Sequence, residues 1–229
     1  MKRLAILGGT FNPIHLGHLI LADTALTQCH LDQVLWLPSR YAHYKPFDQI
    51  LEFPHRVQLI QRAIAHQPQF VLPTIQQDVQ GVSYALDLFQ QLQAAYPGVL
   101  WHWIMGLDAL RSLPQWYGRQ ILVEQCTWLI APRIDLNSLC VQDFTSTDLP
   151  LTTSLEAWIL NETEVAIQAV ADRLRQEGLE FKGRSLQMPL IPISSRLIRA
   201  RCRQRQSIRH LVPDGVYDDI AAHHWYAHS

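Results

Sequence analysis

A short apolar run that leads straight into a glycine-rich segment is the feature of this chain that most constrains its fold. The run from Leu4 to Leu7 has the composition of a buried strand, and the segment Gly8–His18 (GGTFNPIHLGH) follows it directly. An amphipathic helical pattern, Leu19–Leu26, comes next. In the order strand, glycine-rich turn and helix, the N–H groups of the turn and of the helix N-terminus can point at a phosphate group. We therefore expect this turn to bind the phosphates of a nucleotide.

Two histidines of the glycine-rich segment, His15 and His18, are three residues apart with Gly17 between them. Both imidazoles can therefore face the same phosphate chain. Paired histidines also suggest a metal site, but no nearby Cys, Asp or Glu completes a set of zinc ligands. A tight turn without a ligand is the alternative interpretation, in which these histidines are surface or capping residues.

Length and composition favour one soluble, intracellular domain. The 229 residues can bury a sizeable core as one domain with a small appendage, and the net charge of −1 argues against a nucleic-acid-coating surface. No apolar run approaches the ~20 residues of a membrane span. The apolar run after Lys2 and Arg3 is too short for a signal peptide. The four cysteines form no C-x-x-C pair, which favours reduced thiols and a cytoplasmic protein.

Strand-like apolar runs alternate with helical patterns along the chain, which is typical of a parallel α/β sheet. Strands are predicted at Leu4–Leu7, Val34–Leu37, Phe70–Leu72, Leu100–Met105, Thr127–Ala131 and, despite two prolines, Met188–Ile193. Further helices are predicted at Phe53–Ala65, Tyr84–Ala95, Glu164–Gln176, Ser195–Arg203 and Pro213–His224. We predict a single domain over 1–229, with a candidate insertion at about 133–187 and a C-terminal helical part at about 194–229.

Gly106 and Asp108 stand at the end of the fourth predicted strand, where open α/β sheets bind ligands. The carboxylate could accept a hydrogen bond from a ribose hydroxyl or approach a metal–phosphate complex, or it could cap the next helix. Trp116 and Tyr117 follow closely. An indole suits stacking on a flat aromatic ring. The alternative is a core tryptophan, since the chain has seven.

A second segment with phosphate-binding character opens the helix predicted at 195–203. Ser194 and Ser195 offer an N-cap and hydroxyl donors at the positive end of that helix. Arg196 and Arg199 lie one turn apart on the same face. The arginines of 196–209 also allow a solvated basic helix or a nucleic-acid patch, although no aromatic residue lies among them.

Lys45 is one of only three lysines in the chain and lies in the loop after the second predicted strand. A lysine suits phosphate as a point charge, and a solvated loop lysine is the alternative. Tyr84 follows Ser83, the predicted N-cap of a helix, and could be either a ligand contact or an aromatic residue at the start of that helix.

The segment GGTFNPIHLGH resembles the signature of the nucleotidyltransferase superfamily with a T/H-x-G-H motif, and among its members the bacterial nicotinate-nucleotide adenylyltransferases. Other motifs of that family follow in the family's order, from Gly8 to about Ile220, with 133–187 mostly unmatched. They are His43-Tyr44-Lys45 for Pro-His-Lys, Ser83-Tyr84-Ala85 for Ser-Tyr-Thr, Gly106-Leu107-Asp108 for Gly-x-Asp, Trp116, and Ile193 to Arg199 for Ile-Ser-Ser-Thr-x-Ile-Arg. Tyr44, Ala85 and Arg196 depart from the family pattern.

The resemblance implies a Rossmann-like α/β fold: a parallel sheet with helices on both faces and a small C-terminal helical part. It also implies transfer of AMP from ATP to nicotinate mononucleotide, which gives deamido-NAD and pyrophosphate in NAD biosynthesis. The ATP site would comprise Gly8, Gly9, Thr10, Phe11, His15, His18, Gly106, Asp108, Ile193, Ser194, Ser195 and Arg199. The mononucleotide site would comprise Asn12, Lys45, Tyr84, Trp116 and Tyr117.

The catalytic groups implied by the resemblance are His18, His15, Lys45 and Arg199. His18 would donate to the α-phosphate, His15 would orient the phosphate chain, and Lys45 and Arg199 would neutralise the β- and γ-phosphates. The attacking phosphate has a second pKa of about 6, so no protein base is required. Mg²⁺ would be held by ATP and water rather than by protein side chains.

Other activities stay open at the level of sequence. The acceptor could be nicotinamide mononucleotide or phosphopantetheine. The chain could also be a non-catalytic nucleotide-binding protein, because a fold alone does not determine an activity. The expected partners are ATP and nicotinate mononucleotide, with no membrane and no nucleic acid, and a homo-oligomer stays open. Nucleic-acid binding by the arginine-rich helix would be strongly salt-dependent.

Overall fold

The computed structural model describes residues 1–40, 50–74, 85–132 and 155–227. Six strands in these ranges form one sheet in the order β3-β2-β1-β4-β5-β6. They are β1 (Lys2–Gly9), β2 (Gln33–Pro38), β3 (Phe70–Val71), β4 (Val99–Gly106), β5 (Cys126–Ala131) and β6 (Gly183–Ser185). The predicted Rossmann-like α/β fold with a parallel sheet is confirmed.

The described ranges contain eight α-helices. They are α1 (Leu16–Gln28), α2 (Phe53–Ile64), α3 (Ala85–Ala95), α4 (Leu107–Ser112), α5 (Arg119–Gln125), α6 (Leu155–Gln176), α7 (Ser195–Arg203) and α8 (Asp214–His223). A turn of 3₁₀ helix, Leu113–Gln115, follows α4. None of the helices in the described ranges is long and apolar enough to cross a membrane.

The chain divides into two compact units, of which the first comprises residues 1–102 and 193–229. In this unit β2 pairs in parallel with β1 and with β3. The apolar run Leu4–Leu7 of β1 is buried, as expected of a strand inside a parallel sheet. Helix α2 packs against α8, and Asp219 of α8 accepts a 3.0 Å hydrogen bond from Gln58 of α2. The end of the chain is thereby attached to the part that carries the glycine-rich turn.

The second unit comprises residues 103–192. Here β6 pairs in parallel with β5, and α6 packs against β6 and α4. An aromatic cluster forms part of its core. In it the rings of Trp103 and Trp128 are stacked with centroids 5.6 Å apart, and Phe181 stacks on Trp128 at 6.0 Å.

Most predicted elements are confirmed with shifted ends, but the sixth strand was placed wrongly. Residues 188–193 form no strand, and β6 is the polar stretch Gly183–Ser185 instead. Pro189 and Pro192 lack the N–H groups that a sheet ladder needs, which explains the difference. Helix α6 begins at Leu155, well before the predicted start at Glu164.

Candidate active site

The glycine-rich turn joins β1 to α1 and is built around a buried aromatic ring. Phe11 has a positive φ of 46°. Its ring packs against Trp36 at 5.4 Å and edge-on against His18 at 5.0 Å between centroids. A Cβ added at Gly9 would lie 3.1 Å from this ring, whereas one added at Gly8 would meet nothing within 4 Å. Gly9 therefore leaves room for Phe11, and Gly8 presents an open stretch of backbone.

The two predicted histidines stand together at the N-terminus of α1. Their rings are stacked with centroids 3.6 Å apart, and the backbone N–H of His15 donates to Nδ1 of His18 at 3.2 Å. In the neutral imidazole a nitrogen that accepts a hydrogen bond carries no proton, so this contact assigns the proton of His18 to Nε2. Nε2–H is a donor of the kind that a phosphate oxygen accepts. His15 is only 6% exposed, which limits its freedom to reorient.

The N-terminus of α7 is attached to the glycine-rich turn. Ser194 caps the helix, and its Oγ accepts from the N–H of Leu197 at 3.1 Å. Ser195 Oγ donates to the carbonyl of Pro13 at 2.8 Å. The structure thus brings together two segments, the first and the last motif, that are far apart in the sequence. Both place a helix N-terminus, which favours negative charge, in this part of the fold. Ile193, half-buried, directly precedes the cap.

Arg199 reaches from α7 to the backbone of the turn. Its Nη1 donates to the carbonyl of Asn12 at 2.7 Å, and the residue is 9% exposed. Burial lowers the pKa of the Arg199 guanidinium, an effect that Tyr226 opposes. Arginine is not deprotonated in proteins, so the group stays a cation at neutral pH. Arg199 therefore brings a positive charge to the turn while fixing its backbone.

Asn12, predicted to contact the mononucleotide, is bonded to three other parts of the chain. Its side-chain Oδ1 accepts from the hydroxyl of Tyr226 at 2.8 Å and from the N–H of Leu51 at 3.1 Å. Its carbonyl accepts from Arg199. The residue is 1% exposed, so these bonds form in a site sheltered from water. The described contacts of Asn12 hold the turn in place.

Two residues of this part of the fold, Arg56 and Tyr226, were missed by sequence reasoning. Arg56 projects from α2, and its Nη1 donates to the carbonyl of Thr10 at 2.7 Å. A signal for Arg56 exists, because it shares a helix face with the buried Leu59 and Ile60, where a charged residue is unexpected. Tyr226 follows the last predicted helix, Pro213–His224, and no local pattern marks it.

The second unit carries two other predicted groups at the end of β4. Gly106 is the N-cap residue of α4, and a Cβ added there would meet nothing within 4 Å. Asp108 is exposed in the first turn of the same helix, so it does not occupy the capping position itself. A carboxylate there interacts favourably with the helix dipole and also stays accessible to a ligand hydroxyl.

Trp116 follows the 3₁₀ turn and belongs to the edge of the aromatic cluster. Its Nε1 donates to Ser112 Oγ at 3.0 Å, and its ring meets those of Trp103 and Trp128 edge-on, with centroids 5.9 and 6.2 Å away. The residue is half-buried, and the neighbouring Tyr117 is 61% exposed. The indole is thus held in one orientation by core contacts while part of it faces outward.

Lys45 and Tyr84 lie outside the described residues, as do His43, Tyr44 and Ser83 of their motifs. Within the described ranges, no group of three or more His, Cys, Asp or Glu side chains is placed to hold a metal ion.

The model of the cytidylyltransferase-like family matches residues 6–201, which include the glycine-rich turn and the N-terminus of α7. The chain therefore belongs to the cytidylyltransferase-like family.

Several curated proteins with similar sequences are named for one activity. A probable nicotinate-nucleotide adenylyltransferase of Nostoc sp. is 35% identical over 227 residues, which cover 99% of this chain and 98% of the relative. A protein of the same name from Lachnoclostridium phytofermentans is 32% identical over 226 residues, which cover 99% of this chain and 100% of the relative. The fold is also that of the Plasmodium falciparum nicotinic acid mononucleotide adenylyltransferase complexed with NaAD. That structure has a TM-score of 0.69 at 16% identity and covers 100% of this chain and 99% of the other.

Proposed function

We propose that this chain transfers the adenylyl group of ATP to nicotinate mononucleotide and releases deamido-NAD and pyrophosphate. The observation that carries the proposal is the union of two phosphate-binding segments, the glycine-rich turn and the N-terminus of α7, through Ser195 and Arg199. The curated relatives that share this chain over nearly its whole length are named for the same reaction.

The reaction needs alignment and charge neutralisation rather than a protein base. An oxygen of the mononucleotide phosphate forms a bond to the α-phosphorus of ATP, while the bond from that phosphorus to the α,β-bridging oxygen breaks. Pyrophosphate leaves with the electron pair. The attacking phosphate is already ionised near neutral pH, because its second pKa is about 6. Catalysis then comes from holding the reactants in line and stabilising charge at the α-phosphate.

His18 is the group to which we assign the α-phosphate. Its Nδ1 accepts the backbone N–H of His15, which leaves Nε2–H as the donor to a non-bridging oxygen. That hydrogen bond strengthens as negative charge develops in the transition state. His15, stacked on His18, fixes the plane of the ring and orients the phosphate chain.

The β- and γ-phosphates are assigned to the cations Lys45 and Arg199, assisted by the hydroxyls of Thr10, Ser194 and Ser195. Arg199 has two roles in this proposal, since the same guanidinium holds the carbonyl of Asn12 and presents its charge at the turn. The N–H groups at the start of α7 add donors at the positive end of the helix dipole.

The remaining contacts are assigned to the nucleoside parts of the substrates. The exposed carboxylate of Asp108, next to the open backbone at Gly106, is suited to a ribose hydroxyl of the adenylate. Trp116 presents a fixed indole on which the pyridine ring can stack, with Tyr84 and Tyr117 as further aromatic contacts.

In the proposed reaction Mg²⁺ enters as part of the MgATP substrate. The groups gathered at the turn are imidazole, hydroxyl, guanidinium and N–H groups, which suit phosphate oxygens, whereas Mg²⁺ prefers oxygen ligands. When bound, the ion neutralises phosphate charge. The protein residues named above bind and orient the phosphates themselves. We propose a cytoplasmic location, which the reduced thiols of the described cysteines (Cys29, Cys126 and Cys202) favour.

A pyrophosphate-release assay with ATP and Mg²⁺ tests the proposal. Nicotinate mononucleotide, nicotinamide mononucleotide and phosphopantetheine are offered in parallel, and a His18→Ala preparation controls for a contaminating activity. Preference for the first acceptor supports the proposal. Preference for another acceptor rejects the assignment of Trp116 and Tyr84 to a pyridine pocket. Absence of turnover with all three rejects the proposed reaction in favour of a non-catalytic nucleotide-binding protein.

A further inference from the structure

Arg56 is a buried arginine whose guanidinium group donates to backbone carbonyl oxygens. The residue is 1% exposed. Its Nε donates to the carbonyl of Leu51 at 2.9 Å, its Nη1 to those of Thr10 at 2.7 Å and Ser39 at 2.8 Å, and its Nη2 to that of Arg40 at 3.3 Å. Because all three nitrogens of the planar group take part, the side chain is held in one orientation.

The four carbonyl groups belong to two segments that the proposed reaction uses. Thr10 is part of the glycine-rich turn, which carries the two histidines. Ser39 and Arg40 directly precede residues 41–49, and Leu51 follows that stretch after a single intervening residue. One guanidinium group therefore connects the turn with the backbone on both sides of residues 41–49.

Other hydrogen bonds connect the same two segments. The N–H of Ser39 donates to the carbonyl of Gly9 at 2.8 Å. The N–H of Leu51 donates to Oδ1 of Asn12 at 3.1 Å, and this oxygen also accepts from the hydroxyl of Tyr226. The relative position of the two segments is thus determined by several bonds, and Arg56 contributes four of those described.

The chemistry of the position argues against a role in packing alone. The other buried residues of α2 (Leu59, Ile60 and Ile64) are apolar. A buried charge carries a desolvation cost, and well-packed apolar residues in its place are often neutral or stabilising. Burial lowers the pKa of the Arg56 guanidinium. A residue chosen only to fill this space would therefore be apolar, whereas only a planar, multiply donating group can connect these four carbonyls.

We propose that Arg56 is a positioning residue of the reaction, which fixes the backbone of Ser39, Arg40 and Leu51 relative to the glycine-rich turn. This inference rests on the proposed function. Residues 41–49 contain Lys45, and the turn contains His18, so the transition state requires both segments at once. A misplacement of about 1 Å can cost about a hundredfold in rate. Arg56 touches no substrate in this account and acts through these two segments.

The test is a double-mutant cycle between Arg56→Met and Lys45→Ala, with kcat and KM measured for the acceptor that the wild type uses. Arg62→Met on the same helix is the matched control, because Arg62 is an exposed arginine whose ion pair with Asp219 lies at 3.5 Å. We expect Arg56→Met to lower kcat at least about tenfold, with a smaller change in the KM for ATP. In the cycle, the double variant is expected to lose little more than the poorer single variant, because both changes remove the action of one segment.

Two results would overturn the inference. One is a kcat of Arg56→Met within about threefold of that of Arg62→Met. The other is simple additivity in the cycle, which would mean that Arg56 acts independently of Lys45. Arg56→Lys separates charge from geometry: it keeps the cation but cannot span the four carbonyls, so it should recover little of the lost kcat.

A second variant covers the case in which Arg56→Met does not fold. Tyr226→Phe deletes only the hydroxyl that bonds Asn12. We expect it to lower kcat in the same direction while the variant stays folded, with a melting temperature only a few degrees below wild type, as the loss of one hydrogen bond implies. An unchanged kcat in this variant would then reject the hydrogen-bond network as a positioning device.

If the wild type itself turns over no acceptor, the proposed function fails. In that case the positioning role is tested by the increase in melting temperature that pyrophosphate causes. Arg56→Met should lose this increase, and Arg62→Met should keep it.

Discussion

Nη1 of Arg199 donates to the carbonyl oxygen of Asn12 at 2.7 Å, across 187 positions of the sequence. A charge-assisted bond of this kind is stronger than one between neutral groups. It joins α7 to the glycine-rich turn, and Ser195 adds a second bond to the adjacent Pro13. The last motif therefore supports the backbone of the first as well as adding charge to it.

Replacing Arg199 is accordingly expected to affect stability as well as activity. Arg199→Ala leaves the buried carbonyl of Asn12 without this donor, which should lower the free energy of unfolding by about 1–3 kcal/mol. Arg196→Ala, which removes an exposed arginine of the same helix, should change it by no more than about 0.5 kcal/mol. Urea unfolding of the two variants at pH 7 measures both values. Equal losses would show that the bond to Asn12 contributes nothing particular.

His18 is expected to contribute to rate through Nε2–H. His18→Ala should lower kcat by about 10²–10³-fold, the usual effect of removing one preorganised donor to a transition-state oxyanion. His18→Gln can place an amide N–H near the position of Nε2 and should recover part of that loss. His66→Ala, at an exposed histidine after α2, is the control. Steady-state kinetics with saturating ATP give the comparison, and near-normal turnover of His18→Ala would reject the role.

The elements that sequence predicted well are those whose signal is local. Neighbouring residues alone predict a strand at Leu4–Leu7, the glycine-rich turn, and an N-cap at Ser194 before α7. The structure contains each of them. Local signals also misled, because the apolar residues of 188–193 suggested a strand. The actual β6 is three polar or small residues whose strand character comes from pairing with β5.

What sequence could not supply is the set of long-range partners. The bond from Tyr226 to Asn12 joins residues 214 positions apart, and nothing near Tyr226 marks it. Phe11 illustrates the same limit, since it was expected at the ATP site as part of a motif and its ring proves to be packed on Trp36 and His18. Partners of this kind depend on which segments the whole fold brings together, and pairing across the fold leaves no periodic trace in a single sequence.

Trp116 offers a test of the pyridine pocket in which stacking and core packing can be separated. Trp116→Ala should raise the KM for the mononucleotide more than that for ATP, and it should also lower stability because the ring meets Trp103 and Trp128. Trp116→Phe keeps an aromatic face and should retain most of the affinity. An unchanged mononucleotide KM in Trp116→Ala would reject stacking.

Ser112→Ala is the matched control for that experiment. It removes the hydroxyl that accepts the indole N–H at 3.0 Å and leaves the ring itself in place. A change in the mononucleotide KM smaller than that of Trp116→Ala is expected, since the stacking surface persists. Comparable changes in the two variants would mean that the orientation of the indole, rather than its presence, determines binding.

The free energy of unfolding at alkaline pH should depend on the buried phenol of Tyr226. Burial raises the pKa of this group, although the positive charges of Arg199 and Arg56 oppose the effect. Above a pH of about 10 the phenol ionises in the unfolded chain but not in the folded one, so the unfolded state binds fewer protons. The free energy of unfolding must then fall as the pH rises, by at most about 1.4 kcal/mol per pH unit from this residue. Burial likewise raises the pKa of the Cys126 thiol, which starts the decline at a lower pH.

Tyr226→Phe should therefore show a shallower decline between pH 10 and 11.5 than wild type, measured by urea unfolding at closely spaced pH values. The slopes are the quantity to compare, because the variant also lacks the bond to Asn12 at every pH. Parallel slopes for the variant and the wild type would show that the phenol ionises equally easily in the folded and the unfolded state.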